Sequence, residues 1–365
     1  MMIHLLLFAL LQDKPPAPRI ESVVPAAKQP HAGDPAVIFY DSFDAHDPAA
    51  WKYMEPGPDK ATLTEKEALG GKGGSLELFY AKGKQGEGGR KIVFGDSPTG
   101  RPVRRGDRFE TVYWRHYVKH PRGWQGGGCD KMSRATIMAS GNWQQGAILH
   151  VWSAGLPLTL DPATGVKGAQ VVTTRYNDFP NLRWLGNAPK GSLPVHGPEE
   201  LGRWICVEAM MKLNAPGKKD GEARLWVDGR LDAERTGMDF RGSYTQHAIN
   251  AVFLEAYWNN GSPVDQSRWY DDFVVSTRPI GPVTADANAT LLCAAGGSAG
   301  WEVEVAADPD GQKVAWRSPT IAGTEKGVRV EPVLAKGAYF GRIRQKNAAG
   351  TWSDWSPWHQ PFVVP

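Results

Sequence analysis

Short runs of alternating apolar and polar residues follow one another along most of this chain, separated by Gly, Pro, Asn and Asp. Alternation at every second residue is typical of β-strands that bury one face. Within Ala223–Arg235, the pair Asp228-Gly229 separates two such runs and indicates a two-residue hairpin turn. Glycine (42 residues) and proline (28 residues) are abundant and long apolar helical patterns are scarce, so the sequence predicts an all-β protein.

The number and spacing of these runs predict the architecture. Further strands are expected at Ala36–Asp44, Gly73–Tyr80, Phe109–Lys119, Ala135–Ser140, Ala147–Trp152, Gln170–Tyr176, Arg203–Asn214, Asn250–Trp258 and Trp269–Thr277. Many antiparallel strands joined by irregular loops favour a two-sheet sandwich of the jelly-roll, concanavalin A-like type. Repeated strand–helix–strand units are missing from the sequence, which argues against a parallel sheet.

Composition divides the chain into four segments. Residues 1–12 contain the apolar run IHLLLFALLQ, which is too short to span a bilayer and fits the core of a secretory signal peptide. Residues 13–35 are rich in Pro, Ala and Lys and are interpreted as a linker. Residues 36–283 form the predicted jelly roll, and residues 284–365 a smaller Greek-key sandwich. We therefore expect a secreted, periplasmic or cell-surface protein.

Positive charge is concentrated in one part of the predicted jelly roll. Between Arg101 and Arg134 there are nine Lys and Arg residues and only three acidic ones. Such a surplus can create a local positive potential that attracts a polyanion. The alternative is an ordinary solvated basic face.

The sequence offers few ligands for a metal ion and does not indicate a disulfide framework. Its three cysteines are widely spaced, at Cys129, Cys206 and Cys293. An odd number without C-x-x-C spacing leaves either one disulfide or three buried thiols. Asp265, Asp271 and Asp272 are candidate ligands for a structural Ca²⁺, because that ion prefers oxygen. The alternative is that Asp272 accepts hydrogen bonds at a strand end.

The segment Trp124–Trp152 combines a glycine run with cationic side chains. Lys131 follows the glycines, which allow another backbone or a substrate to come close. A lysine crowded by Arg134 and shielded from water would lose affinity for its proton and could act as a base. The alternative is a surface lysine paired with Asp130.

His150 lies near the end of the apolar strand in the same segment. In an extended strand His150 and Trp152 point to one face, and Leu149 and Val151 to the other. The leucine and valine predict the core face, which puts His150 on the opposite, concave surface. The alternative is a histidine that is hydrogen-bonded within the packing.

Other polar and aromatic side chains complete the set of candidates. Arg175 and Tyr176 are adjacent, so at most one of them faces the groove unless the strand bulges. Tyr257 and Arg268 lie on two later strands. The tryptophans that could stack on sugar rings, or pack in the core instead, are Trp143, Trp152, Trp258 and Trp269.

Motifs of several hydrolase classes are missing from the sequence. There is no E-x-D-x-x-E pattern, and no predicted strand offers the pair of carboxylates that retaining glycoside hydrolysis requires. There is also no H-E-x-x-H motif and no P-loop. Hydrolysis by a carboxylate pair is therefore disfavoured.

Five segments of residues 36–283 carry a resemblance to a known family. They are FYDSFD, GGSLEL, YWRHYVKHPRGWQGGGCDK, RLWVDGRL and YWNNGSPVDQSRWYDDFVVS. In them the chain resembles the secreted jelly-roll polysaccharide lyases related to alginate lyases and glucuronan lyases. In the alginate-lyase branch a GGK motif carries an essential lysine. Here Cys129 and Asp130 stand between the glycine run and Lys131.

That resemblance implies β-elimination on an acidic polysaccharide, with no redox cofactor. Cations or amides neutralise the uronate carboxylate, a base removes the C5 proton, and a tyrosine protonates the leaving oxygen. The candidates are Arg134, Arg175 and Asn142 for neutralisation, Lys131 and His150 for the base, and Tyr176 and Tyr257 for the acid. Trp143, Trp152 and Arg268 are further candidates for substrate binding.

The end of the chain resembles a fibronectin type III module. The residues from Trp352 to Ser356 match the WSxWS pattern of some of these modules. In those modules the tryptophans stack with arginines. Here Arg342 and Arg344 are two residues apart on a predicted strand, so both can face the tryptophans. The module is interpreted as a spacer or docking unit; the alternative is that it only stabilises the jelly roll.

Three functions remain open on the sequence. The first is an exported lyase that acts on a uronate-containing polymer such as alginate or glucuronan. The second is a non-catalytic carbohydrate-binding protein of the same fold, and the third is an extracellular adhesion or scaffold protein. No membrane span and no nucleic-acid partner are expected, and the sequence does not indicate an oligomeric state.

Overall fold

A computed structural model describes most of the chain. The described residues are 14–31, 33–44, 54–56, 61–86, 88–126, 131–186, 190–293 and 298–365. The predicted signal peptide (residues 1–12) lies outside them, as do Cys129 and Asp130. Two short 3-10 helices, Leu69–Gly71 and Pro198–Glu200, are the helical elements of the described part, and all other elements there are strands. Among these residues no helix has the length and apolar character needed to cross a bilayer.

The strands follow one another along the whole described chain. The first are β1 (Ile20–Val23), β2 (Val37–Asp41), β3 (Met54–Pro56), β4 (Ala61–Thr64), β5 (Ser75–Tyr80), β6 (Gly88–Val93), β7 (Thr111–Lys119), β8 (Lys131–Met138) and β9 (Gln145–Ser153). The next are β10 (Leu158–Thr164), β11 (Val166–Lys167), β12 (Gln170–Val171), β13 (Arg183–Trp184), β14 (Trp204–Lys212), β15 (Gly221–Val227), β16 (Arg230–Met238), β17 (Ala251–Tyr257) and β18 (Gln266–Ser276). The last are β19 (Thr290–Cys293), β20 (Gly300–Ala306), β21 (Val314–Arg317), β22 (Ile321–Ala322), β23 (Gly327–Arg329), β24 (Gly337–Lys346) and β25 (His359–Val364).

Two antiparallel sheets form the larger sandwich. One has the strand order β13-β10-β9-β8-β17-β6-β3. The other has the order β16-β15-β14-β7-β18-β5-β4, and β2 also pairs with β18. Their facing sides enclose one apolar core, which includes Trp114, Leu149 and Phe273. The prediction of an all-β jelly-roll sandwich is confirmed.

The predicted hairpin turn joins β15 to β16. Asp228 and Gly229 have φ angles of 48° and 70°, and Val227 pairs with Arg230 across the turn. Positive φ at both central positions is the geometry that favours a Gly in this type of turn. Asp228 is also anchored, because the backbone N–H of Cys206 donates to its carboxylate (3.0 Å).

A second, smaller sandwich contains the C-terminal strands and one strand from the N-terminal segment. Its sheets have the orders β1-β19-β23 and β21-β20-β24-β25, and β22 pairs with β20. Ile20 and Val23 of β1 are fully buried in its core. The interpretation of residues 13–35 as a plain linker was therefore wrong for residues 20–23. Their two apolar side chains complete this core, and their backbone pairs with β19.

The second sandwich packs on the outer side of the larger one. Tyr117, Trp204, Cys206 and Trp269, from strands of the β16–β4 sheet, belong to the same core cluster as the C-terminal strands. The hydroxyl of Tyr117 also accepts a hydrogen bond from the backbone N–H of Val283 (3.0 Å). One outer face of the jelly roll is thus covered, whereas the β13–β3 sheet keeps its outer face outside this contact.

The expected arginine–tryptophan stack is present in the second sandwich. The guanidinium carbon of Arg342 lies 4.9 Å from the ring centre of Trp355, and that of Arg344 lies 4.5 Å from the ring centre of Trp352. The hydroxyl of Ser356 accepts from the backbone N–H of Ile343 (3.0 Å). The WSxWS segment therefore packs along β24 through hydrogen bonds to its backbone and cation–π contacts with its arginines.

The basic residues between positions 101 and 134 do not form one continuous positively charged surface. Arg115 on β7 is fully buried and pairs with Asp272 (Nη2 to Oδ2, 3.0 Å). Lys119, also on β7, contacts Glu21 of β1 (Nζ to Oε1, 2.5 Å). The last members of the run lie on β8, in the other sheet. Much of this positive charge is neutralised in structural ion pairs. The surplus counted in the sequence therefore does not give the charge of any one surface of the jelly roll.

Removal of the buried side chain of Ile20 tests whether β1 is a structural part of the second sandwich. We expect Ile20→Ala to lower the free energy of unfolding by about 2–5 kcal/mol, because the deletion leaves a cavity in a packed core. The measurement is urea unfolding followed by tryptophan fluorescence. Val333→Ala is the matched control, since that side chain is 62% exposed in the same unit. Equal midpoints for the two variants would show that β1 is dispensable.

A buried histidine predicts how stability depends on pH. His116 is fully buried, and its ring nitrogens have no hydrogen-bond partner among the described residues. Burial, with the charge of Arg268 nearby, lowers its pKa from 6.5 to about 3. Below pH 6.5 the unfolded chain therefore binds a proton that the folded protein does not, and stability falls as pH decreases.

His116→Phe should remove this contribution. We expect the loss of stability between pH 7 and pH 5 to be smaller by about 2 kcal/mol in the variant than in the wild type. Buried carboxyls with raised pKa values, such as Asp41 and Asp271, act in the opposite direction but are common to both proteins. Parallel stability curves from urea unfolding at each pH would contradict the prediction.

Candidate active site

The outer face of the β13–β3 sheet carries the candidate site. Leu149 and Val151 point into the core, so His150, between them on β9, points outward. Across the strands His150 is opposite Arg134 of β8, and Arg134 is opposite Phe253 of β17. Side chains on these neighbouring strands therefore meet on one surface.

A bulge brings Lys131 onto the same surface as Arg134. Residues three apart on a regular strand point to opposite faces. The pairing of β8 with β9 shifts between Lys131 and Ser133, so one extra residue is accommodated there. As a result the Lys131 ammonium lies 5.8 Å from the ring centre of Trp152 and 4.5 Å from that of Tyr257.

Arg134 is the buried charge at the centre of the site. Its guanidinium is fully buried and contacts Glu255 (Nε to Oε1, 3.4 Å) and His150 (Nη1 to Nε2, 3.4 Å). It also donates to the hydroxyl of Tyr176. The rings of Tyr176 and Phe253 lie 4.7 Å and 4.4 Å from its guanidinium carbon. A buried cation needs such partners, because its desolvation is otherwise costly.

The imidazole of His150 is held in its neutral form. Burial lowers its pKa well below 6.5, and the charges of Arg134 and Lys131 add to the effect. Its Nε2 lies 3.8 Å from the carboxylate of Glu255. Asp161, opposite His150 on β10, has its pKa raised to about 6 by burial. The site thus combines a neutral imidazole with a carboxyl that titrates just below neutral pH.

Aromatic rings form one wall of an adjoining pocket of about 370 Å³. Tyr176 and Phe253 stack in parallel with ring centres 6.4 Å apart, and Trp143 meets the Tyr176 ring edge-on at 5.7 Å. The Lys91 ammonium lies 3.6 Å from the centre of the Trp143 ring. Lys131 also lines this pocket. Aromatic faces next to cations suit a sugar ring that carries a carboxylate.

Tyr257 stands between this pocket and a second one. Together with Gly86 it lines both the aromatic pocket and an open cleft of about 510 Å³ that includes Asn259 and Asn260. Its hydroxyl donates to the side-chain carbonyl of Gln85 (3.0 Å). A ligand that extended across both pockets would pass the hydroxyl of Tyr257.

Arg268, predicted to bind substrate, was misplaced by the sequence analysis. It is fully buried between the two sheets and donates to the backbone carbonyls of Lys131 (2.9 Å) and Glu255. A side chain in the interior cannot contact a ligand on the outer face. Both faces of β18 are buried from Arg268 onward, and polar and aromatic residues alternate irregularly around it, so the sequence did not indicate which face is interior. Arg268 instead supports the backbone beneath the site.

The predicted strand Gln170–Tyr176 is mostly a loop, since only Gln170–Val171 form β12. Within this loop, the carboxylate of Asp178 accepts from the backbone N–H of Thr174 (2.7 Å). The loop carries Tyr176 into the site and leaves Arg175 exposed.

The remaining predicted residues fall into two groups. Asn142 is exposed in the turn between β8 and β9, next to Trp143 at the rim of the aromatic pocket. Trp258 and Trp269 are buried, the first in the jelly-roll core and the second under the C-terminal sandwich. Of the four tryptophans, Trp143 and Trp152 are therefore the two that reach the outer surface of the sheet.

Sequence reasoning missed Glu255, Asp161 and Trp184. Glu255 shares the outward-pointing parity of Phe253 and Tyr257 on β17, so strand alternation could have found it. Asp161 precedes a proline within β10, and no local signal marks it. Trp184 is in a two-residue strand, which is too short to give a pattern.

The three aspartates considered for Ca²⁺ have separate partners. Asp271 accepts from the backbone N–H of Leu69 (2.8 Å), and Asp272 pairs with Arg115. Asp265 accepts from the backbone N–H of Lys82 (2.7 Å). Within the described ranges, no group of three or more His, Cys, Asp or Glu side chains has an arrangement that could hold a metal ion.

Comparison with known proteins finds similarity in structure only. No family model and no curated protein sequence matches the chain. Alginate lyase vAL-1 from a Chlorella virus aligns at 14% identity over 66% of this chain and 99% of its own, with a TM-score of 0.47. An endo-β-1,4-glucuronan lyase from the fungus Trichoderma reesei aligns at 14% identity over 66% and 96%, with a TM-score of 0.46. An alginate lyase from Aplysia kurodai aligns at 14% identity over 66% and 99%, with a TM-score of 0.47. At these values the similarity assigns no function to this chain.

The ion pair beneath the site gives a direct prediction. Glu255→Gln should lower the free energy of unfolding by about 3 kcal/mol, because it leaves the buried guanidinium of Arg134 without its counter-ion. Glu234→Gln is the matched control, since Glu234 pairs with Arg224 at the surface (2.6 Å) and should contribute less than about 1 kcal/mol. Urea unfolding of both variants measures the difference, and equal losses would mean that the Arg134–Glu255 contact does not stabilise the fold.

Proposed function

We propose that this protein is a polysaccharide lyase that cleaves a uronate-containing polymer by β-elimination in the groove of the β13–β3 sheet. The observation that carries the proposal is the convergence of a cation, a neutral imidazole and two phenols on one outer surface. The residues are Lys131, His150, Tyr176 and Tyr257. These are the three kinds of group that β-elimination requires.

The first requirement is neutralisation of the uronate carboxylate. The C5 proton becomes acidic only when negative charge can build up on the neighbouring carboxylate. Lys131 lines the pocket and meets this charge directly, and the buried Arg134 adds positive potential from behind. Fixed charges of this kind stabilise the developing enolate without having to reorganise.

The second requirement is a base. Burial and two nearby cations lower the pKa of His150, so its imidazole is neutral at neutral pH. In the unliganded protein its Nε2 lies 3.4 Å from Nη1 of Arg134, and this contact opens when the imidazole acts as the base. His150 takes the proton from C5. The electron pair of the C5–H bond forms a C4–C5 double bond, and the bond from C4 to the glycosidic oxygen breaks.

The third requirement is a proton for the leaving oxygen. Burial raises the pKa of Tyr176, so its hydroxyl keeps a proton at neutral pH. Tyr257 stands at the junction of the two pockets, where a glycosidic bond of an extended chain would lie. We assign the donor role to Tyr257, with Tyr176 as the alternative. The products are a new non-reducing end with an unsaturated uronate and a shortened chain.

Three variants and one control test the roles of His150 and Lys131 with alginate and glucuronan, the polymers named for the similar solved structures. Ultraviolet absorbance of the unsaturated ends measures cleavage. We expect His150→Ala to lower kcat by at least about 100-fold. Lys131→Ala should lower kcat/KM by about 100-fold, whereas Lys131→Arg, which keeps the charge, should recover most of it. Lys167→Ala, an exposed lysine on β11, is the control.

The Lys131→Arg variant distinguishes the two candidate bases. Arginine keeps its proton at every accessible pH and cannot serve as a base. Loss of activity equal to that of Lys131→Ala, together with an active His150→Ala variant, would transfer the base role to Lys131. Absence of new absorbance with both polymers in the wild type would contradict the lyase proposal.

Carbohydrate binding without catalysis is the second candidate function. It is favoured by the burial of two groups, because Arg134 is 0% and His150 2% exposed. The carboxylate of Glu255, which also lines the pocket, opposes a bound uronate. Binding of either polymer in calorimetry without any absorbance change would support this function.

The remaining expectations follow from the same proposal. An acidic polysaccharide is the partner, and a protein acting on such a polymer works outside the cytoplasm, in line with the signal peptide predicted for residues 1–12. The smaller sandwich serves as a docking or spacer unit. Mass spectrometry of the protein secreted by its host would identify the mature N-terminus and test export.

A further inference from the structure

Trp184 covers the imidazole of His150. The two rings are nearly parallel, with an interplanar angle of 26° and ring centres 6.1 Å apart. Trp152 meets the same imidazole edge-on at 5.7 Å. His150 is 2% exposed, whereas Trp184 is 40% exposed. The indole therefore has one face on the histidine and another part of its surface in water.

We propose that Trp184 is a movable cover of the site, which closes over His150 in the unliganded protein and stacks on a pyranose ring of the substrate when it opens. This rests on the proposed function, which it extends by naming the residue that controls access to the base. The ligand class is a uronate sugar, whose apolar ring face suits an indole and whose carboxylate suits Lys131.

The need for movement follows from the burial of His150. A base must come within hydrogen-bond reach of the carbon-bound proton that it removes. The His150 side chain is 2% exposed and its Nδ1 is buried, so a substrate carbon cannot reach the ring while the groups that cover it stay in place. Exchange of one stacking partner for another leaves the indole equally well packed, so a sugar ring can replace the imidazole at small cost.

The attachment of Trp184 suits a cover. Strand β13 has only two residues, at the edge of the sheet, and pairs with Ala163 and Thr164 of β10. One further backbone bond, from the N–H of Leu185 to the carbonyl of Pro162 (2.9 Å), follows it. Both residues of β13 are exposed. Few backbone bonds and little buried surface are properties of segments that open locally.

The charged groups around His150 come from three other strands. Lys131 and Arg134 of β8 are cationic, Glu255 of β17 is anionic, and Asp161 of β10 is a carboxyl whose pKa is raised to about 6. Trp184 adds no charge but excludes water. Its removal should therefore bring the pKa of His150 back toward its usual value, because burial is the largest cause of the shift.

Chemical modification measures the cover without any need for activity. The rate at which diethyl pyrocarbonate modifies His150 is followed by peptide mapping, with the fully buried His116 as internal reference. We expect Trp184→Ala to raise the His150 rate about tenfold and Trp184→Phe to raise it less, because a smaller ring still stacks. Leu231→Ala is the matched control, since Leu231 is 54% exposed on β16 of the other sheet. An unchanged His150 rate in Trp184→Ala would overturn the proposal.

Calorimetric titration with oligosaccharides of alginate and of glucuronan tests the second half. We expect Trp184→Ala to weaken binding about tenfold and Trp184→Phe to retain most of it. Equal affinity of Trp184→Ala and wild type, or no binding by the wild type, would overturn the stacking role. If both expected changes are seen but no polymer is cleaved, the lyase proposal fails and the cover remains. Thermal unfolding of each variant checks that the fold is intact.

Discussion

A buried guanidinium organises the groove. Arg134 has no contact with water, and its charge would be costly there without partners. Its partners come from three different elements: Glu255 from β17, His150 from β9 and Tyr176 from the loop after β12. The contacts of the Arg134 guanidinium therefore fix the positions of β17, β9 and the loop after β12 relative to β8. The same contacts affect protonation, because burial lowers the pKa of His150 and the charge of Arg134 adds to that shift.

The two outer faces of the jelly roll have different uses. One is covered by the second sandwich, whose core includes Trp204 and Trp269 of the larger domain. The other carries polar and aromatic side chains around an open groove. Since an apolar sheet face must be buried, the aromatic residues of the covered face serve packing. Those of the open face, such as Trp143 and Trp184, lie where a ligand can reach them.

Strand alternation predicted much of this molecule and failed at identifiable points. It correctly assigned the two faces of β9, because Leu149 and His150 lie on a regular strand. It could not predict that Lys131 and Arg134 share a face, since that depends on a bulge in the pairing with β9. It also could not assign Arg268 to the interior, where backbone carbonyls from another sheet accept its hydrogen bonds. The contribution of β1 to the distant C-terminal sandwich depends on pairing between residues far apart in sequence.

If the protein binds an acidic polymer as proposed, the charge balance around the aromatic pocket limits how that polymer is recognised. Positive side chains on its walls, such as Lys91 and Lys131, are offset by the carboxylates of Glu255 and Asp161. A broad positive potential is therefore not the source of selectivity. Under the proposed function, recognition requires that a single uronate carboxylate reaches Lys131 while its ring packs on an aromatic face. Such a site discriminates by geometry, because a polyanion that cannot adopt this pose gains little from the net charge alone.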